Sequence, residues 1–175
     1  MRLPIALVLF LLACGPVYDL ENEAFSDLRV VGDSLQPLAV PMALAFRRAV
    51  GQLGGRVESG GRHVVTVDES SCAFAPDGSS AYTPRFNGGT FYFCPWWGVF
   101  TDGSRHFDAD TASALVEHEV GHLLGVVGHL PCTKRVEMMA VGGACAHLKH
   151  GYTANDVTAI CYNGLTSCGL TRPER

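Results

Sequence analysis

His118-Glu119-Val120-Gly121-His122-Leu123-Leu124-Gly125, with His129 close behind, is the stretch on which the rest of the chain turns. On an α-helix, positions i and i+4 lie one turn apart on one face, so His118 and His122 can offer imidazole nitrogens to a single metal ion. Glu119 stands about 100° round the helix from His118, beside such an ion rather than on it. That marks it as a candidate base and not a ligand. The five-residue pattern alone is weak, and its surroundings strengthen it. Asp108 or Asp110 can cap a helix in which Val116, Val120, Leu123, Leu124 and Val127 recur at helical spacing and face inward, with the histidines toward a cleft. Gly125 then falls where the chain must turn to bring a third ligand round. The competing explanation is a structural helix with two solvated or hydrogen-bonded histidines.

The run His118-Glu119-x-x-His122-x-x-Gly125 resembles the zinc signature of the metzincin metalloproteases, most closely the matrixin-like branch. The resemblance implies one catalytic zinc ion (Zn2+) held by three histidines. In that family the third ligand follows the glycine by three residues, a slot filled here by Gly128, so His129 comes one position late. A one-residue insertion in the loop after the helix accommodates this, since a loop containing Gly128 absorbs an extra residue more easily than a helix can. His147 and His150 are the reserve ligands. Metzincins also carry a methionine in a tight turn beneath the zinc, and Met138 or Met139 supplies it here, the alternative for a Met pair being core filler. Ala140 and Val141 stand where some members have a tyrosine ligand, so none is expected. Thr153-Ala154-Asn155-Asp156 opens a stripe of Val157, Ile160 and Cys161 that looks like the C-terminal helix of matrixin-like domains. Upstream, His106-Phe107-Asp108 resembles a matrixin segment that binds structural zinc and calcium, which makes a structural Ca2+ ion an option on three residues' likeness.

The family chemistry implied is hydrolysis of a peptide bond by metal-activated water. Zinc lowers the pKa of its water and polarises the scissile carbonyl, while Glu119 acts as general base and then returns the proton to the leaving amine. In the family the substrate lies extended along an edge strand, which here is expected near Thr90 to Cys94.

Met1 to Ala13 contains one arginine and a short apolar run, Ile5 to Leu12, too short to span a bilayer as a stable helix; it is expected to be an export signal. Leu11-Leu12-Ala13-Cys14 resembles the bacterial lipobox, which implies lipidation of Cys14 and an exported bacterial lipoprotein, at the outer membrane or cell surface rather than the inner membrane. Ordinary secretion with cleavage elsewhere is the alternative. Residues 1–13 are thus expected to be a lipoprotein signal peptide, 14–34 a lipid-anchored tether and first strand, and 35–175 the metzincin-like zinc protease domain.

Besides Cys14 the chain has Cys72, Cys94, Cys132, Cys145, Cys161 and Cys168, an even number that in an exported protein suggests disulfides. Spacing does not choose among the pairings, although a Cys161–Cys168 bridge could tie the last helix to the tail and a Cys132–Cys145 bridge could staple the Met-turn region. The absence of any C-x-x-C pair argues against a cysteine zinc site.

With 175 residues, 47% of them hydrophobic and 17% charged, the chain is long enough for one domain with a sizeable core. Its net charge of −4 and the absence of a basic run or RNA-binding signature exclude nucleic acid as an expected partner. A protein or peptide substrate, the membrane through the N-terminal lipid, and a monomeric state are expected.

A pass along the sequence gives an α+β order: a small metzincin-like catalytic domain with a twisted mixed β-sheet, an N-terminal helix, an active-site helix and a C-terminal helix. A strand is expected at Leu28 to Val31, a helix over Pro41 to Leu53 ended by Gly54-Gly55, a strand over His63 to Val67 and another over Thr90 to Cys94. His63 is placed at a strand edge rather than on a metal. Ala75 to Gly89 has the composition of turns. Trp96-Trp97 could line a cleft or pack in the core. The non-catalytic alternative is a zinc-binding or adhesive surface lipoprotein, and a hydrolase of cell-wall peptide amides is a third possibility.

Overall fold

Ala39–Gln52 form a helix, α1, in which Met42, Ala45, Phe46, Ala49 and Val50 recur at spacings of three and four and are the residues buried. It starts two residues before the expected Pro41, after a 3-10 turn over Gln36–Leu38. Pro41 still suits it, because a proline in the first turn lacks an N–H that would have had no partner there. The computed structural model describes residues 18–69, 81–83, 89–93, 108–126, 151–162 and 166–169.

Around α1 the chain runs through β1 (Tyr18–Asp19), β2 (Ala24–Phe25), β3 (Arg29–Val31), β4 (Arg56–Val57), β5 (Thr66–Asp68), β6 (Ala81–Tyr82) and β7 (Thr90–Phe93). Then come α2 (Ala109–Leu123), α3 (Ala154–Cys161) and β8 (Thr166–Ser167). The fold is therefore mixed helix and strand, α+β. The largest sheet has the order β3-β5-β7-β6, its first three strands parallel and β6 antiparallel to β7. A second parallel pair, β2 with β4, adjoins it, since Phe25 and His63 form a bridge and Ser26 N–H donates to His63 O.

Alternation along the strands sends Val65, Val67, Phe91 and Phe93 into the core, where α1 and α2 pack on each other. Val116, Val120 and Leu124 of the expected inward stripe are fully buried, while Leu123 is only half-buried. Val127 lies outside the described residues. Among the described residues no helix is long and apolar enough to cross a membrane.

Three expectations need correction. The strand expected over His63 to Val67 has its ladder at Thr66–Asp68, and His63 makes only its single bridge, with Val64 turned outward at 51% exposure. The strand at Thr90–Phe93 is not an edge: it lies between β5 and β6, so among the described residues the edge on that side is Ala81–Tyr82. Strand order depends on which distant segment closes onto which, and nothing in the local pattern of Thr90 to Phe93 carries that information. Nor is the stretch up to Ser34 a tether ending in one strand. From Tyr18 the chain belongs to the core, with β1 pairing in parallel with β8, Tyr18 stacked on Phe25 at 5.5 Å, and Leu20 buried. Two-residue strands leave no periodicity to recognise.

At the other end, Thr153 and Asp156 form the expected capping box: Asp156 N–H donates to Thr153 Oγ1, and Thr153 N–H donates to Asp156 Oδ2 at 2.8 Å. Cys161 and Cys168 are joined by a disulfide. That bridge ties α3 to the segment after β8.

Candidate metal centre

Of the two possible caps for α2 the structure uses Asp108, whose Oδ1 accepts from Thr111 N–H at 2.7 Å, with Asp110 in the first turn. At the far end Gly125 has φ 111°, a conformation glycine adopts without steric penalty. Gly125 N–H donates to His122 O at 3.0 Å and Val126 N–H to Gly121 O at 3.1 Å, the paired bonds of a Schellman turn. Thr166 Oγ1 of β8 donates to Leu124 O, satisfying one more carbonyl at the helix end.

This turn also serves the histidines. It brings Val126 O to 2.9 Å from His122 Nδ1, so the ring donates its Nδ1 hydrogen there and the Nε2 atom is the one directed at His118. His118 Nε2 and His122 Nε2 are 3.1 Å apart, their rings 4.7 Å between centroids and 78° between planes. Two nitrogens bound to one tetrahedral zinc at its usual bond length lie about 3.3 Å apart. The pair therefore fits two positions of such an ion. Among the described residues no group of three histidine, cysteine or carboxylate side chains that could hold a metal ion is assembled. His129, His147 and His150 lie outside the described residues, as do Met138, Met139, Cys14, His106, Trp96, Trp97 and the cysteines at 72, 94, 132 and 145.

Glu119 is 2% exposed. Burial pushes its carboxyl up from 4.5 to about 7, against the pull of a hydrogen bond from Thr83. That bond runs from Thr83 Oγ1 to Glu119 Oε2 at 2.6 Å, and the same hydroxyl lies 3.2 Å from the Glu119 main-chain oxygen. Glu119 thus adjoins His118 in sequence on the same helix, with a buried carboxyl held above its ordinary range.

A second carboxylate, absent from the candidates drawn from sequence, holds α2 in place. Glu117 is fully buried. Its Oε1 accepts from Arg48 Nε of α1 at 2.5 Å and its Oε2 from Gly151 N–H at 2.6 Å, while Tyr152 O–H donates to the Glu117 main-chain oxygen at 2.7 Å. Gln52 Oε1 of α1 accepts from Tyr152 N–H at 2.8 Å. Burial, then the negative charges of Glu117 and Asp156, hold the Tyr152 hydroxyl well above its ordinary range, so it stays a donor. The signal that could have exposed this network is positional: 117 falls on the stripe of 113, 120 and 124, so a charged side chain there must be buried and needs a partner.

His63 is not at the centre. It pairs with Glu23 at 2.6 Å and packs edge-on against Tyr18. No protein-family model matches the chain, and no curated protein matches it.

Proposed function

We propose that this protein is a zinc-dependent endopeptidase with a metzincin-like, matrixin-like catalytic domain, exported as a lipoprotein anchored through Cys14. What supports the reading most is the 3.1 Å convergence of His118 and His122 Nε2, with His122 braced from behind by Val126 O and Glu119 next in sequence. His118 and His122 hold the metal, with His129 as third ligand. When bound, zinc supplies Lewis acidity to the scissile carbonyl and to the attacking water.

The remaining steps belong to the chain's own side chains. Glu119 takes a proton from the attacking water and delivers it to the leaving amine. An extended peptide pairs with the side of β6 that no other described strand covers, where main-chain bonds give affinity and alternate side chains give preference. The Arg48–Glu117–Gly151 contacts keep α2 from rotating beneath the site.

Metal analysis and cleavage of a diverse peptide library by wild type and Glu119→Gln test the function. Zinc in both proteins with hydrolysis in wild type alone is expected, the loss being about 10² to 10⁴ in rate. A folded, zinc-loaded wild type that cleaves no protein or peptide leaves a binding or adhesive lipoprotein, and cleavage confined to cell-wall peptides narrows the substrate to that class. Failure of Cys14→Ser to leave the membrane fraction would remove the anchor.

A further inference from the structure

Thr83 is the residue that follows β6, the outermost strand on its side of the sheet among the described residues, and its hydroxyl reaches Glu119 Oε2 at 2.6 Å. Among the described residues it is the one partner of that carboxylate. We propose, building on the peptidase reading above, that Thr83 is a positioning residue. Its hydroxyl fixes Glu119 Oε2, leaves Oε1 to take the proton, and links the orientation of the base to the strand on which an extended peptide docks.

Three features carry this. A glutamate side chain ends in a soft torsion, so without a partner the two carboxylate oxygens exchange places freely. A hydroxyl-to-carboxylate bond of 2.6 Å is short and charge-assisted, enough to select one orientation. Next, the Thr83 oxygen lies 3.2 Å from the Glu119 main-chain oxygen, which places the hydroxyl against the turn of α2 that carries the carboxylate, its single hydrogen going to the shorter contact at Oε2. Finally, the main chain of Thr83 continues β6. That strand is paired on one side through Ala81 with Phe93 and Tyr82 with Tyr92, while no described strand covers its other side. A peptide adding to that side would order the same backbone that carries the hydroxyl. Correct substrate and correct base orientation are then reached together.

The test compares wild type, Thr83→Val and Thr83→Ser as full-length mature, zinc-loaded proteins on a peptide substrate taken from the library. Valine keeps the branched shape and removes the O–H. Thr83→Val is expected to lower kcat about tenfold to a hundredfold with KM and zinc content unchanged, and Thr83→Ser to recover to within about threefold of wild type. A thermal double-mutant cycle of Thr83→Val with Glu119→Ala gives a readout independent of turnover: the shift in Tm caused by Thr83→Val should shrink by about half or more once Glu119 is gone. Additive shifts overturn the contact. Unchanged kcat in Thr83→Val, or equal losses in the valine and serine variants, overturn the positioning role while the peptidase reading stands. A wild type that cleaves nothing overturns that reading, and the catalytic part of this inference falls with it.

Discussion

Val126 O sits 2.9 Å from His122 Nδ1 because the chain reverses at Gly125 with φ 111°. A side chain at 125 would be forced into a conformation that L residues avoid, so Gly125→Ala is expected to cost roughly 1–2 kcal/mol. Because the turn also orients the imidazole, zinc affinity should drop about tenfold or more. Denaturant unfolding and a competitive zinc titration measure the two effects. Weaker folding with undiminished zinc binding would separate the turn from the ligand.

The Arg48–Glu117 pair is asymmetric: the Arg48 side chain is 40% exposed and that of Glu117 not at all. Removing the carboxylate leaves a guanidinium that water can reach, whereas removing the guanidinium leaves a buried charge with Gly151 N–H as its remaining carboxylate donor. Arg48→Ala should therefore destabilise by roughly 3 kcal/mol or more, and Glu117→Gln by less. Combining Arg48→Met with Glu117→Leu should recover much of the loss. Equilibrium unfolding decides the order, and a reversed ranking would show that the pair is not what holds α2.

Glu119 makes the stability of the metal-free protein depend on pH. Its folded value of about 7 lies above the ordinary 4.5, so between the two the native state binds more protons than the unfolded one. This group's contribution is then fully present below about 4.5 and is lost as pH rises through 7, up to roughly 3 kcal/mol. Unfolding in the presence of chelator across that window should show the decline in wild type and a flatter profile in Glu119→Gln. Equal slopes would place the titration elsewhere.

His129 is expected to complete the ligand set, so His129→Ala should weaken zinc binding about as much as His122→Ala, roughly tenfold to a hundredfold or more. Metal titration of single alanine variants at 122, 129, 147 and 150 identifies the third ligand. Full metal retention in His129→Ala together with its loss in His147→Ala or His150→Ala would reassign that position.

The helix and turn that carry His118 and His122 were legible because their parts are local, whereas His129 and the Met-turn residues lie outside the described residues. The i, i+4 spacing of His118 and His122, the cap at Asp108, the turn at Gly125 and the capping box at Thr153 and Asp156 each involve residues within a few positions of one another. A helical pitch or a turn conformation imposes the same geometry wherever the segment sits. Glu117 is not legible in the same way, because its role depends on burial against α1, whereas Glu119, two residues on, belongs to a recognisable local pattern.

The amino-acid sequence by itself determined that an α-helix would set two imidazoles and a carboxylate on adjoining positions and would end at a glycine. Tertiary structure decided what surrounds them. Arg48 reaches Glu117 across 69 residues, Thr83 reaches Glu119 across 36, and Tyr18 pairs beside Thr166. The strand at Thr90–Phe93 is inside the sheet only because Ala81–Tyr82 closes over its flank. These contacts exist only once loops have closed and distant segments have been buried against one another, so they depend on the path of the whole chain and leave no periodicity in any short stretch.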